Sequence, residues 1–185
     1  MEFRRDFGKI KGKAYRLFDL KKGMKASKSA KDKTNAMRLL DAAGIEYTSY
    51  SYEADPSLSG EDIARILGED PDRVFKTLVT RGKSGEYYVF VIPVNTELDL
   101  KKAAKAASEK SVAMIKQKEL RPLTGYVHGG CSPVGMKKPF PTWIDETAQI
   151  TDAFFCSAGR RGAQIRLSPE ALADYIGAAF ADRTK

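Results

Sequence analysis

The seven residues Val74-Phe75-Lys76-Thr77-Leu78-Val79-Thr80 constrain the fold of this chain more than any other stretch. Side chains alternate faces along a strand, so Val74, Lys76 and Leu78 share one face and Phe75, Thr77 and Val79 the other. Both faces are largely apolar, which suits a strand covered on both sides rather than a solvated edge. A lysine there has two uses. It snorkels out at the rim of the sheet and blocks unwanted pairing, or it lies in a pocket and faces an anion. The strand alone does not choose between them.

The surrounding pattern sets the fold class. Thr34 is placed to cap a helix that runs to Ala43 and stops at Gly44, and 45–52 reads as a strand. Ser59 with Asp62 three residues on reads as a capping box, and Asp70-Pro71 opens one more turn. Residues 74–80 and 87–92 form the arms of a hairpin. Asp99 caps a helix with Leu100, Ala103, Ala104 and Ala107 inward; its outer lysines, Lys101, Lys102 and Lys105, form a solvated face or a phosphate contact. A short strand over 111–115 and a helical turn over 118–123, interrupted by Pro122, come next. Strands follow over 141–145, 153–158 and 163–167. A final helix starts at Ser168, with Leu172, Tyr175, Ile176 and Ala179 inward. At least six strands with helices before, between and after them, and no βαβ alternation, predict an α+β domain. Its sheet is mixed and mostly antiparallel, with short flanking helices.

The net charge of +8 is unevenly placed. Residues 1–33 carry twelve Lys and Arg against Glu2, Asp6, Asp19 and Asp32, so they hold the whole excess, and 34–185 balance to zero. This predicts a flexible basic extension over 1–33, with an electrostatic arm for nucleic acid as the alternative, ahead of a single domain over 34–185. Met24 leaves an upstream origin for residues 1–23 as a further reading. Two cysteines, Cys131 and Cys156, and no apolar leader point to a reducing, cytoplasmic setting. No apolar run reaches the length of a membrane span.

Chemistry-bearing residues are sparse. Residues 125–135, Gly-Tyr-Val-His-Gly-Gly-Cys-Ser-Pro-Val-Gly, hold adjacent glycines that let a backbone approach a ligand and offer N–H groups to an anion or carbonyl oxygen. The spacing matches neither a dinucleotide fingerprint nor a phosphate-binding loop. His128 and Cys131 allow a Cys–His nucleophile, but no third group to orient them is evident. One histidine and two distant cysteines make no tetrahedral metal set, and no carboxylate pair stands out for acid–base work. The residues describe a pocket for an anionic or carbonyl group.

Four stretches carry a resemblance: Val74-Phe-Lys-Thr-Leu-Val79, Leu98-Asp-Leu-Lys-Lys-Ala-Ala-Lys105, Thr124-Gly-Tyr-Val-His-Gly-Gly-Cys-Ser-Pro-Val-Gly135 and Ser157-Ala-Gly-Arg-Arg-Gly162. Together, in order between about Thr34 and Ala181, they resemble the YbaK family of freestanding Cys-tRNA(Pro)/Cys-tRNA(Cys) deacylases. That family is related to the editing domain of bacterial prolyl-tRNA synthetases. The resemblance implies an α+β editing domain over 34–185, aminoacyl-tRNA (tRNA(Pro)) as partner with prolyl-tRNA synthetase as a further one, and no cofactor or metal. It implies Lys76 as the catalytic lysine, with Tyr52, Thr77, Gly129, Gly130, Ser157 and Gln164 binding substrate. Gln164 falls where the family often has an aspartate, and an aromatic that some members carry near Ser59 is missing. The implied chemistry needs no enzyme nucleophile: the cysteine on the tRNA attacks its own ester carbonyl and leaves as a thiolactone. A catalytically silent tRNA- or synthetase-binding relative, or an enzyme that edits alanine or another small residue, remain the alternatives.

Overall fold

The computed structural model describes residues 33–185 and, before them, the backbone of three short strands: β1 (Phe7–Ile10), β2 (Lys13–Arg16) and β3 (Lys25–Ala26). Strands β1 and β2 pair with each other. The rest of the basic extension, and with it the expectation of flexibility over 1–33, lies outside the described residues.

Local signals place most elements. Thr34 Oγ1 accepts from the Met37 N–H (3.2 Å) at the start of α1 (Asn35–Ala42), whose Ala36, Met37 and Leu40 are buried. Ser59 and Asp62 form the expected reciprocal capping box of α2 (Gly60–Leu67). Asp70 caps a 3-10 turn at Pro71–Arg73, which delivers the chain into β5 (Phe75–Gly82). Asp99 caps α3 (Leu100–Ala106). Helix α4 (Gln117–Thr124) runs through Pro122, which stands in its last turn and does not interrupt it.

Besides the β1–β2 pair, two larger sheets result, together mixed and mostly antiparallel. The first orders β3, β4 (Tyr47–Ser51), β10 (Ala163–Leu167) and β9 (Phe154–Ser157), all antiparallel. The second orders β11 (Ala179–Ala181), β8 (Thr142–Asp145), β6 (Tyr87–Pro93), β5 and β7 (Val112–Met114). Its β6–β8 and β8–β11 pairings are parallel. The final helix, α5 (Pro169–Ile176), ends at Gly177 in a left-handed cap, and β11 follows. So Ala179 belongs to a strand, not to the helix, and Tyr175 is exposed.

The β5 alternation holds. Phe75 and Val79 enter the main core with Val89, Val91, Ile144, Phe154 and Ile165, and Leu78 faces the second cluster, where Phe90 and Ile92 lie under Ala103 and Ala104 of α3. Phe75 meets Phe154 edge-on at 4.8 Å, and truncating a buried Phe of this kind costs about 3–5 kcal/mol. Besides this shared core, the backbones of the two sheets pair at one parallel bridge among the described residues, Val74–Phe155, around which Ala64 and Leu67 of α2 pack. Beyond it they part. Strand β7 pairs with β5 only from Thr80 to Gly82, so among the described residues no strand pairs with the outer edge of β5 between Phe75 and Leu78. That gap positions the candidate site. Among the described residues no helix is long and apolar enough to cross a membrane.

Candidate functional site

The gap holds a chamber of about 240 Å³. Lys76, Thr77 and Leu78 of β5 form one wall, and Ser157 and Gln164 at the ends of β9 and β10 form the second. Ser59, Gly60 and Ile63 at the start of α2 form the third; Leu120 of α4 with His128, Gly129 and Cys131 closes the fourth. A side lobe of about 40 Å³ adds Tyr52, Arg161 and Gly162 and shares His128 and Gly129 with the chamber. A wider hollow of about 800 Å³ near Met37, Tyr47 and Arg166 holds none of the expected site residues.

Lys76 is half-buried, and its ammonium donates to Val94 O (3.0 Å) and Thr96 O (2.6 Å). It stands on the stretch of β5 whose outer edge no described strand covers, yet it does not snorkel into solvent: the cation is held by the loop after β6. An ammonium has three donors, so one N–H is left for a ligand. Burial lowers the Lys76 pKa, and the carboxylates of Glu97 and Glu61 act against that shift. Helix α2 backs the anchor closely. A Cβ on Gly60 would come within 2.6 Å of Val94 Cβ, so only glycine fits there.

Two polar atoms of the chamber's residues are buried without a partner among the described residues: Thr77 Oγ1 and Gln164 Oε1. An unpaired buried acceptor costs roughly 1–3 kcal/mol, which a ligand donor would recover. The other end of the Gln164 amide donates to Tyr52 Oη at 3.4 Å, and burial raises the Tyr52 pKa, so the phenol stays protonated.

The glycine loop divides its two residues between tasks. Gly129 stands at φ +79°, exposed on the chamber, a conformation that glycine adopts at little cost. Gly130 is buried behind it, and its N–H donates to Val127 O (3.0 Å). A Cβ there would lie 2.9 Å from Arg161 N and 3.0 Å from Arg160 C, both backbone. Gly130 thus lets the loop press against the 159–162 turn, and it does not line the chamber. Arg161 fixes that contact, its Nε donating to His128 O at 2.7 Å.

No activated nucleophile is present in the chamber. Burial pushes the Cys131 thiol up to about 12, with the Thr124 hydroxyl opposing, so it stays protonated and unreactive. His128 is exposed and makes no hydrogen bond to Cys131. Ser157 Oγ accepts from the Gly159 N–H (3.3 Å). No group of three or more His, Cys, Asp or Glu among the described residues could hold a metal ion.

Residues 55–175 match the family described as "Aminoacyl-tRNA editing domain". This chain belongs to that YbaK-type editing family. It is 48% identical over 160 residues to the "Putative Cys-tRNA(Pro)/Cys-tRNA(Cys) deacylase EbsC" of Enterococcus faecalis (strain ATCC 700802 / V583), covering 86% of this chain and 98% of that one. It is 24% identical over 142 residues to the "Uncharacterized protein YwhH" of Bacillus subtilis (strain 168), covering 74% and 90%. Among solved structures, "a putative trans-editing enzyme for prolyl tRNA synthetase" superposes with a TM-score of 0.69 at 26% identity, covering 82% of this chain and 98% of that one.

In this editing domain Lys76, Thr77, Gly129, Ser157 and Gln164 line one chamber, Tyr52 reaches it through the side lobe and Gln164, and Gly130 stands behind the loop. Sequence reasoning named neither Leu120 nor Ile63 as a wall, and gave Arg161 no task. Only the Arg-Arg dipeptide inside the 159–162 turn hinted at the last of these.

Proposed function

We propose that this protein is a trans-acting aminoacyl-tRNA deacylase that clears cysteine from mischarged tRNA(Pro), and from tRNA(Cys) as a second substrate, by substrate-assisted cyclisation. One observation carries the reading: a small chamber presents a held cation and unpaired acceptors, yet its thiol is protonated and both its serine hydroxyls are engaged, Ser59 in the cap of α2 and Ser157 by the Gly159 N–H. At about 240 Å³ it falls below the roughly 300–1,000 Å³ of drug-sized pockets, which suits a small aminoacyl group.

The step balances without a protein nucleophile. The substrate thiol attacks its own ester carbonyl; the carbon–sulfur bond forms, the bond to the ribose oxygen breaks, and the thiol proton goes to that leaving oxygen. The products are a thiolactone, which water opens, and tRNA with a free terminal hydroxyl. The protein bends the substrate and stabilises charge. The Gly129 N–H, which makes no hydrogen bond among the described residues, faces the carbonyl oxygen, and the free N–H of Lys76 steadies the developing negative charge. Thr77 Oγ1 and Gln164 Oε1 accept from the α-ammonium. A thiol required as reactant discriminates far better than a thiol merely bound.

Deacylation of Cys-, Ala-, Ser- and Pro-tRNA(Pro) tests this. Release of cysteine alone, with a trapped thiolactone, is expected. Equal release of alanine or serine would replace cyclisation by ordinary hydrolysis. Binding of tRNA without any release would favour a silent relative, the reading that Gln164 in the aspartate's place suggests. Association with a prolyl-tRNA synthetase is tested by co-sedimentation with that enzyme.

A further inference from the structure

The balanced charge of residues 34–185 hides a separation across the chamber. Residues 41–72, which include β4 and all of α2, carry nine carboxylates and one cation, Arg65, which pairs with Asp62 at 3.0 Å. Residues 115–140, which include α4 and the glycine loop, carry five cations and one carboxylate, Glu119. Glu119 accepts from the Lys116 N–H (2.9 Å) at the start of α4 and so serves the helix end. The five cations, Lys116, Lys118, Arg121, Lys137 and Lys138, are exposed, and none forms an ion pair among the described residues.

These cations form one surface. The Lys137 N–H donates to Thr124 O (3.1 Å), and its Nζ reaches Pro122 O at 3.4 Å, which lays 137–138 against the end of α4. Lys116 continues the surface into an outer groove lined also by Arg81 and Lys83. The inner side of the same helix puts Leu120 into the chamber wall. On the far wall, Glu61 lies close enough to Lys76 to act on its ammonium, so the acidic side extends to the chamber's edge.

We propose that α4 and the 137–138 segment receive the phosphodiester backbone of the RNA whose aminoacylated end enters the chamber, and that the α2 side turns RNA away. Unpaired surface cations in a row exchange counterions for phosphates at little desolvation cost, whereas carboxylates repel the same polymer. An acidic protein would meet the same cations, but the surface borders a chamber in an editing domain, which favours RNA. The inference rests on the deacylase reading for what enters the chamber; the charge separation stands without it.

Binding of uncharged tRNA(Pro), titrated over a salt series, is the test. The fourfold variant Lys118→Gln, Arg121→Gln, Lys137→Gln, Lys138→Gln is expected to bind roughly ten- to a hundredfold more weakly at low salt. Its slope of log K against log[salt] should flatten by about 0.7–0.9 for each phosphate that the variant no longer neutralises. Glu53→Gln with Glu69→Gln should leave binding unchanged or tighter. Turnover of a cysteine ester without RNA should be equal in all of them. A companion carrying Lys118→Arg, Lys137→Arg and Lys138→Arg should keep wild-type binding, which guards against a folding defect in the fourfold variant. Equal slopes in the fourfold variant and wild type overturn the proposal, as does a fourfold variant that loses only binding to an acidic protein. Should wild type deacylate nothing yet bind tRNA with this asymmetry, the enzymatic reading fails while the surface stands.

Discussion

The two long walls of the chamber are built by opposite means. The Lys76 wall belongs to a hairpin in continuous register from Phe75–Pro93 to Arg81–Tyr87, and the lysine is anchored by two carbonyls of the loop just beyond it. The facing wall comes from the loop 125–135, which is pressed through glycine against the 159–162 turn, from a distant part of the chain, and fastened to it by one side chain, Arg161. The first wall is precise because neighbours in sequence make it. The second has no ladder of its own: turn hydrogen bonds shape each loop, and the contact between the loops sets their spacing. Chemistry that needs a bent substrate between a cation and a loop amide depends on both.

The largest expected effect breaks the first wall. Lys76→Ala should keep the fold and lose most deacylation, because a charge contact in a dry site is worth about 2.7–4 kcal/mol, or roughly a hundred- to a thousandfold in rate. Near wild-type turnover by folded protein would remove Lys76 from the chemistry. Next comes Gly130→Ala, whose added methyl meets only backbone and forces the loops apart. It should cost about 1–3 kcal/mol of stability by overpacking. A displacement near 1 Å costs up to about a hundredfold in kcat. Unaltered kcat would show that the loop contact does not position the substrate.

Arg161 sharpens the comparison, since it fastens the second wall without lining the main chamber. Arg161→Gln should lower kcat on the order of tenfold, the worth of one hydrogen bond from a charged donor, with KM unchanged. Arg161→Lys should restore part of it, and faster hydrogen exchange at the 129–131 amides of the Gln variant should accompany the loss. A rise in KM alone would make Arg161 a substrate contact instead.

The smallest effect is expected at Cys131. Cys131→Ser should stay within a few-fold of wild-type activity; inactivation with unchanged stability would revive the Cys–His alternative. Burial also raises the Cys156 thiol to about 12, so alkylating reagents at pH 8 should leave both cysteines of the folded chain unlabelled. Both thiols titrate higher folded than unfolded. Their share of stability should be whole below about pH 9 and fall away between 9 and about 12.

What could be read from the sequence follows the same division. The capping box at Ser59 and Asp62, the cap at Asp99, and the hairpin around Lys76 depend on residues a few positions apart, and each formed where its pattern put it. Long-range pairing left no such mark. The parallel contact of β6 with β8 joins segments some fifty residues apart, and β11 has three residues whose strand character comes from its neighbour. Gly177 ends α5, yet Ala179 continues the helical spacing of Leu172, Tyr175 and Ile176 past it, and that spacing carried the expected helix too far. In the site, Lys76 stood out as a cation among apolar residues. Leu120 and Arg161 carry no such contrast, because a leucine on a helix and an arginine in a turn are ordinary until the fold brings them together.

The absence of a side chain at position 60 reaches further than the helix it begins. Its backbone lies against Val94, and the carbonyl of Val94 holds the Lys76 ammonium, so positions 60, 94 and 76 cannot drift separately over generations. A library randomised at position 60 and selected for editing should return glycine alone. Revertants of Gly60→Ala should then map not to the lysine but to residue 94, where Val94→Gly removes the atoms in the way and leaves the carbonyl that the cation needs.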